Sequence, residues 1–108
     1  MSSKVLEIAS ESLDPNDKVS TSYPGRFEGK SGTLVLSSMR LLFIKEEGFL
    51  KKSYTKTLNL PYKEVKKIER KGAHLEFTDM KDKVYVFVSD VSASIVETAL
   101  RELMKTPP

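Results

Sequence analysis

The 108-residue sequence contains no cysteine and only one histidine, His74. Without cysteine, the chain has no disulfide and no thiolate metal site, which argues against a disulfide-dependent secreted scaffold. A single histidine cannot form a histidine metal cluster, and no nucleophile or carboxylate in a recognisable motif accompanies it. We therefore expect no metal site, no cofactor and no enzymatic activity.

The sequence also lacks long hydrophobic runs. The longest apolar runs are about four residues, whereas a helix that spans a membrane needs roughly 20. Near the N-terminus, Glu7 and Ser10 interrupt the apolar positions, which is not the pattern of a signal peptide. The sequence therefore predicts no transmembrane segment. It favours a cytoplasmic location, with peripheral contact to membranes as an option.

Charge is distributed unevenly along the chain, whose net charge is +3. Residues 1–17 carry one lysine against four acidic side chains, a net charge of −3. Residues 51–71 carry eight basic side chains against two acidic ones, a net charge of +6. Such a basic stretch favours anionic partners such as phospholipid headgroups or acidic peptides. The alternative is a solvated lysine-rich face that only keeps the protein soluble. Nucleic acid is not expected, because no platform of stacking aromatic residues accompanies the lysines.

Alternating apolar residues and turn signals predict about seven short strands followed by one helix. Pro24-Gly25 is expected to break or bulge the first strand, and Pro61 to end the fourth. The run "VYVFVS" is predicted to be buried on both faces or to lie beneath a helix. The C-terminal segment predicts a helix with a broad apolar stripe. The stripe is formed by Val91, Ile95, Ala99 and Leu103 and is widened by Val96, Leu100 and Met104.

These elements together predict a mainly β, α+β domain. About seven antiparallel strands would form a bent, half-open barrel, and the C-terminal helix would plug its open end and cover the apolar interior. Residues 1–17 are expected to form an acidic N-terminal arm or a short helix, and residues 18–108 to form the domain itself.

The stretch "GTLVLSSMRLLFI", residues 32–44, resembles a known family signature. It is similar to the pattern Gly-Thr-Leu-x-Leu-(Ser/Thr)-x-x-Arg-Leu-(Leu/Ile)-(Phe/Trp). That pattern is found in GRAM domains, prokaryotic PH domains and the GLUE domain of the ESCRT membrane-sorting machinery. The similarity covers roughly residues 26–105 and implies the pleckstrin-homology-like (PH-like) superfold. The residues that fit the signature are Gly32, Thr33, Leu34, Leu36, Ser37, Arg40, Leu41, Leu42 and Phe43.

The resemblance also implies two kinds of ligand, phosphoinositides and, for GLUE domains, ubiquitin. The usual PH lipid motif places basic residues across the first strand, turn and second strand. Arg26 and Lys30 are the basic residues in that region of this chain. The second strand lacks the usual Lys/Arg-x-Arg, so the pattern predicts weak anion binding rather than tight, specific binding of an inositol phosphate.

A second candidate contact lies at Phe49-Leu50, followed by Lys51-Lys52. If this stretch is exposed, it is an apolar wedge beside cations, which suits an anionic membrane surface. In the alternative interpretation, which we favour from sequence, Phe49 or Leu50 begins the next strand and packs inward, because large apolar residues usually serve the core. The predicted contacts to lipid or acidic partners are Arg26, Lys30, Phe49, Leu50, Lys51, Lys52, Lys56, Lys66 and Lys67.

Arg40 is predicted to be structural. It would pair with a carboxylate or cover the end of the sheet with its stem, rather than meet a phosphate.

The first functional hypothesis is a non-catalytic PH-like interaction module in membrane-sorting machinery. It would dock a protein ligand, a ubiquitin-like domain or a linear peptide, on a sheet edge or a helix flank, with the basic region touching acidic partners. The alternative hypothesis is a module that binds anionic phospholipid or phosphoinositide headgroups at a membrane surface.

Overall fold

The computed structural model describes residues 2–105, so the last three residues of the predicted domain lie outside the described part. Seven strands, two α-helices and one short 3₁₀ helix make up the described chain. In chain order they are Ser3–Glu11 (α1), Val19–Phe27 (β1), Lys30–Ser37 (β2), Arg40–Glu47 (β3), Ser53–Pro61 (β4), Tyr62–Glu64 (the 3₁₀ helix), Val65–Lys71 (β5), His74–Asp79 (β6), Val84–Ser89 (β7) and Ala93–Lys105 (α2).

All seven strands belong to one antiparallel sheet with the order β4-β3-β2-β1-β7-β6-β5. Strands β1 to β4 pair consecutively, as do β5 to β7, whereas β4 and β5 lie at opposite edges of the sheet. Strand β1 also pairs with β7 and so joins the two halves of the sheet. The prediction of seven antiparallel strands followed by a C-terminal helix is confirmed.

The sheet is strongly bent. The order places β3 three strand spacings from β7, roughly 14 Å in a flat sheet. The rings of Phe43 on β3 and Phe87 on β7 nevertheless have centroids only 6.1 Å apart. The two halves therefore curl toward each other around one apolar interior. Its fully buried members include Leu34, Leu36, Leu41, Phe43, Leu75, Phe77, Phe87, Val96 and Leu100.

Helix α2 covers this interior, but with a different face from the predicted one. The helix begins at Ala93, so Val91 precedes it, and Ile95 is 56% exposed. The buried residues are Ala93, Val96 and Leu100, which follow the i, i+3, i+7 spacing of one helix face. The prediction that Val91 and Ile95 form the stripe was wrong, because the stripe is centred on the residues that were expected only to widen it.

Helix α1 covers the opposite face of β2 and β3. Its buried residues, Val5 and Ala9, pack with Val35, Leu42 and Ile44 in a second apolar cluster. Strands β2 and β3 are therefore buried on both faces, which explains their nearly continuous apolar sequences. Of the two predictions for residues 1–17, an acidic arm or a short helix, the structure has a short helix at Ser3–Glu11.

Strand β7 lies beneath α2 on its inner face, as one of the two alternatives for "VYVFVS" predicts, but it is exposed on its outer face. Val84, Val86 and Val88 are between 36% and 49% exposed, whereas Phe87 is fully buried. The expectation of burial on both faces fails because α2 packs on the inner face and α1 covers β2 and β3 instead. No element of residues 2–105 covers the outer face of β7.

Strand β1 continues through Pro24-Gly25 without a break. Pro24 pairs with Thr33, and the irregularity of the strand lies between Val19 and Thr21. Strand β7 pairs only with residues 25–27 of β1, so Pro24 lies where β1 has a single neighbouring strand. The missing N–H of proline is tolerated at such a position.

Candidate functional site at the loop end of the sheet

The β3–β4 loop, residues 48–52, projects from one end of the sheet, and we call it the tip. Gly48 has a φ of 108°, and a Cβ at this position would collide with the backbone carbonyl of Lys51. The turn is therefore specific for glycine. It carries Phe49 and Leu50 into solvent, where each is 93% exposed. The interpretation in which these side chains pack inward was wrong, because β4 begins only at Ser53.

The two lysines of the tip differ in their surroundings. Lys52 lies 2.6 Å from Glu46 Oε1, and this hydrogen bond and the carboxylate charge raise the pKa of Lys52. Lys51 has no ion-pair partner among residues 2–105. The cation free to meet an external anion at the tip is therefore Lys51.

The β1–β2 turn lies at the same end of the sheet as the tip. Gly32 of β2 pairs with Lys45 of β3, so Lys30 lies opposite Glu47. The hydrogen bond from Lys45, helped by the charges of Lys45 and Lys30, lowers the pKa of Glu47. Lys30 thus joins the cations around the tip, where Glu46 and Glu47 offset part of the positive charge.

Arg26 lies on the outer face of β1 rather than at the tip. It is exposed, whereas Gly25 and Phe27 on either side of it are buried. Its Cα partner on β7 is Val88, one of the exposed valines. The structure therefore places Arg26 beside the uncovered valines of β7.

The remaining predicted contacts lie away from the tip and already have partners. Lys56 Nζ donates to Ser12 Oγ at 2.9 Å, next to α1. Lys66 and Lys67 are on β5, at the sheet edge opposite to β4, and pair with Asp82 and Glu69. The hydrogen bond with Glu69 raises the pKa of Lys67. The basic stretch 51–71 is therefore divided between two edges of the sheet.

The net charge of that stretch is also largely compensated. Five of its eight basic side chains form ion pairs with carboxylates within residues 2–105. These five are Lys52, Lys66, Lys67, Arg70 and Lys71. Although the stretch has a formal charge of +6, it therefore presents only a few separated cations without a carboxylate partner in residues 2–105.

Arg40 lies at the opposite end of the sheet and contacts carboxylates. Its Nε is 3.7 Å from Asp17 Oδ2, and its Nη2 is 3.6 Å from Asp14 Oδ2. Its Nη1 donates to Asn59 Oδ1 at 3.0 Å. Of the roles considered from the sequence, these contacts match the one in which Arg40 pairs with a carboxylate. Asp17 was missed as a partner, because the sequence places it in the acidic N-terminal segment.

The other signature residues belong to the interior of the sheet. Leu34, Leu36, Leu41 and Phe43 are fully buried in the inner core. A Cβ at Gly32 would collide with the Phe43 ring and with the carbonyl of Ile44, so the signature glycine allows that close approach. Thr33 pairs with Ile44.

Within residues 2–105, no group of three or more histidine, cysteine, aspartate or glutamate side chains is placed to hold a metal ion. His74 Nε2 lies 3.3 Å from Glu76 Oε2 on the same strand. Neither described helix has the length and apolar character needed to cross a membrane.

No family model matches the chain, and no curated protein sequence matches it. Solved structures do share its fold. One is the C-terminal domain of an unknown protein from Leishmania infantum, with 16% identity and a TM-score of 0.71, covering 94% of this chain and 99% of that chain. Another is a DUF1696 family protein with a pleckstrin-homology domain from Shewanella loihica PV-4, with 17% identity, a TM-score of 0.60 and 94% coverage of both chains. At these identities the likeness concerns the fold, and that fold is PH-like.

Proposed function

We propose that this PH-like chain is a non-catalytic interaction module that docks on anionic membrane surfaces through the tip. The observation that carries the proposal is the exposure of Phe49 and Leu50, 93% each, beside Lys51, which forms no ion pair within residues 2–105. Exposing two adjacent large apolar side chains to water is unfavourable, and a turn that requires glycine at position 48 keeps both exposed. That arrangement favours the alternative sequence hypothesis, lipid binding, over the first one.

The energies involved are sufficient for reversible attachment. Fully burying a phenylalanine or leucine side chain is worth about 1.5–3 kcal/mol. A lysine near an anionic surface contributes about 1 kcal/mol. Insertion of the tip therefore supplies most of the free energy, and Lys51 with Lys30 supplies the preference for anionic lipid.

Selectivity for one phosphoinositide is not part of the proposal. Lys30 is the only basic residue on β2, and Arg26 faces the valines of β7 instead of the tip. A pocket that surrounds a single inositol phosphate needs several convergent cations. The tip is suited to a surface rich in negative charge, including phosphatidylserine and phosphoinositides together.

The experiment is cosedimentation with phosphatidylcholine vesicles that contain or lack phosphatidylserine. We expect binding to the anionic vesicles that falls steeply as salt is raised, because exposed charges are screened beyond about 10 Å at 0.1 M salt. The double substitution K51E/K52E should abolish this preference. K4E/K18E is the matched control, because it changes the charge equally on exposed lysines away from the tip. Equal loss of binding in both variants would refute docking through the tip.

A protein ligand is the second candidate, and the uncovered face of β7 favours it. Val84, Val86 and Val88 form an exposed apolar row on β7, flanked by His74 and Glu76 of β6 and, at Val88, by Arg26 of β1. The resemblance of the signature residues to GLUE domains, which bind ubiquitin as well as phosphoinositides, makes a ubiquitin-like domain in membrane sorting the protein ligand to test. An NMR titration with ubiquitin should then shift the amides of β7, and V86E should remove the shifts. Shifts that survive V86E, or no shifts at all, would exclude this face.

A further inference from the structure

A cavity of about 320 Å³ lies at the end of the sheet opposite the tip. It is bounded by the β2–β3 turn, the 3₁₀ helix and the last turn of α2, and its apolar walls include Met39, Tyr62, Leu103 and Met104. All four side chains are half-buried, so the cavity opens to solvent. Its volume is at the lower end of the range of small-molecule sites, roughly 300–1,000 Å³.

The polar group of the tyrosine in these walls has a partner within the protein. The hydroxyl of Tyr62 donates to the carbonyl of Ser37 at 2.6 Å, which leaves its ring facing the cavity. Burial, with the nearby Asp17 carboxylate, raises the pKa of Tyr62, so this hydroxyl stays a neutral donor. Met39 and Met104 are flexible apolar side chains that adapt to ligands of different shapes.

The rim of the cavity is cationic. Arg40, Lys63 and Lys105 line it against one carboxylate, Asp14. Asp14 is 67% exposed and lies 3.6 Å from Arg40 Nη2, too far for a hydrogen bond. Lys63 has no ion-pair partner among residues 2–105, and Lys105 lies 3.8 Å from the exposed Glu102. The rim therefore has donors available to an incoming anion.

We propose that this cavity binds a small amphipathic anion, a carboxylate with a short alkyl or aryl body. The body packs between Met39 and Met104, and the carboxylate meets Lys63 and Lys105 at the rim. The site is separate from the tip and does not depend on membrane docking. Its charge arrangement excludes cations of the same shape.

A free small molecule fits the cavity better than a peptide segment does. A peptide commonly gains affinity by adding a strand to a sheet edge, which needs unpaired backbone donors and acceptors. Among the described residues that line the cavity, Pro61 is the one that belongs to the edge strand β4, and it has no N–H. Recognition here relies on side chains and on enclosed volume.

Methyl NMR of the methionines tests the proposal on the full chain. Met39 and Met104 are in the walls of the cavity, whereas Met80 is 59% exposed in the β6–β7 turn and serves as an internal reference. The probes are octanoate, its neutral analogue octanol and the octylammonium cation. We expect octanoate to shift Met39 and Met104 in a saturable way and to leave Met80 unchanged.

Charge selection is tested with the double variant K63Q/K105Q and with the control K4Q/K18Q. The first should weaken octanoate binding on the order of tenfold, to the level of octanol, because hydrogen bonds to charged groups are lost. The control should bind octanoate as the parent does. The proposal is overturned if octylammonium binds as well as octanoate, if Met80 shifts together with the cavity methionines, or if no probe shifts Met39 and Met104.

Discussion

Asp17 and Ser37, twenty residues apart, form a buried hydrogen bond in which Ser37 Oγ donates to Asp17 Oδ2 at 2.8 Å. The other oxygen of the carboxylate accepts from the backbone N–H groups of Lys18 and Met39 at 2.8 and 3.1 Å. Arg40 Nε lies 3.7 Å from the same carboxylate and adds an ion pair. Through these contacts, Asp17 links the start of β1 to the β2–β3 turn. The serine turn of the signature is thus held by a carboxylate from outside the signature.

We predict that Asp17→Ala destabilises the fold by about 2–4 kcal/mol. The substitution removes the carboxylate that accepts from the Ser37 hydroxyl and from the backbone N–H groups of Lys18 and Met39, although Met39 keeps Ser37 Oγ as a second acceptor. It also takes away the negative charge 3.7 Å from the buried Nε of Arg40, and uncompensated buried groups are costly. Urea denaturation measures the change. Asp14→Ala is the control, because Asp14 is 67% exposed and its ion pair with Arg40 is worth at most about 1 kcal/mol. Equal effects of the two substitutions would contradict the role given to Asp17.

The second prediction concerns Gly48→Ala. An added Cβ meets the carbonyl of Lys51, so the tip backbone must move, and a φ of 108° is itself unfavourable for alanine. We expect large amide shifts confined to residues 47–53 and weaker binding to anionic vesicles. Gly72→Ala is a matched control, because Gly72 has a φ of 63° but open space around its Cα. An unshifted tip in Gly48→Ala would show that the turn does not require glycine.

The third prediction concerns the pH dependence of stability through Glu97. Hydrogen bonds and charge from Arg101, and to a lesser degree Arg70, lower the pKa of Glu97 below its ordinary value of 4.5. A lowered folded-state pKa contributes stability that is present above the unfolded-state value and is lost as pH falls through the folded-state value. Glu97→Gln should therefore reduce stability at neutral pH, and the difference from the parent should vanish in acid.

Chemical denaturation at a series of pH values measures that difference. In the background R70Q/R101Q, the same substitution should have little effect at any pH, since the two guanidinium groups lower the pKa. Arg101 Nη2 also donates to the carbonyl of Ile68 at 2.9 Å, so this background loses a contact between α2 and β5 as well. A pH-dependent effect of Glu97→Gln that persists in this background would contradict the assignment.

The sequence predicted most of the sheet, because short alternating runs and glycine turns are local signals. Leu75 and Phe77 alternate with polar residues in the sequence and are fully buried on β6, and β4 ends at Pro61 as predicted. These features depend on neighbours within a few residues.

The features that were wrong or missed depend on packing between distant segments. Helix α1 covers the outer face of β2 and β3 but not that of β7. The apolar sequence of β7 resembles those of β2 and β3, so it does not show which strands the helix covers. Asp17 looks like any acidic residue of its segment until the fold brings Ser37 to it. The exposure of Phe49 and Leu50 follows from the tight turn at Gly48, which displaces the start of β4 to Ser53.

The most direct test of tip docking is the partition coefficient of F49S/L50S on phosphatidylcholine–phosphatidylserine vesicles. The account predicts a decrease of at least about tenfold, since two apolar side chains no longer enter the bilayer, with no loss of stability because both are exposed. I95S is the control, because it removes another exposed apolar side chain, on α2. Unchanged partitioning of F49S/L50S, or an equal decrease in I95S, would contradict the account.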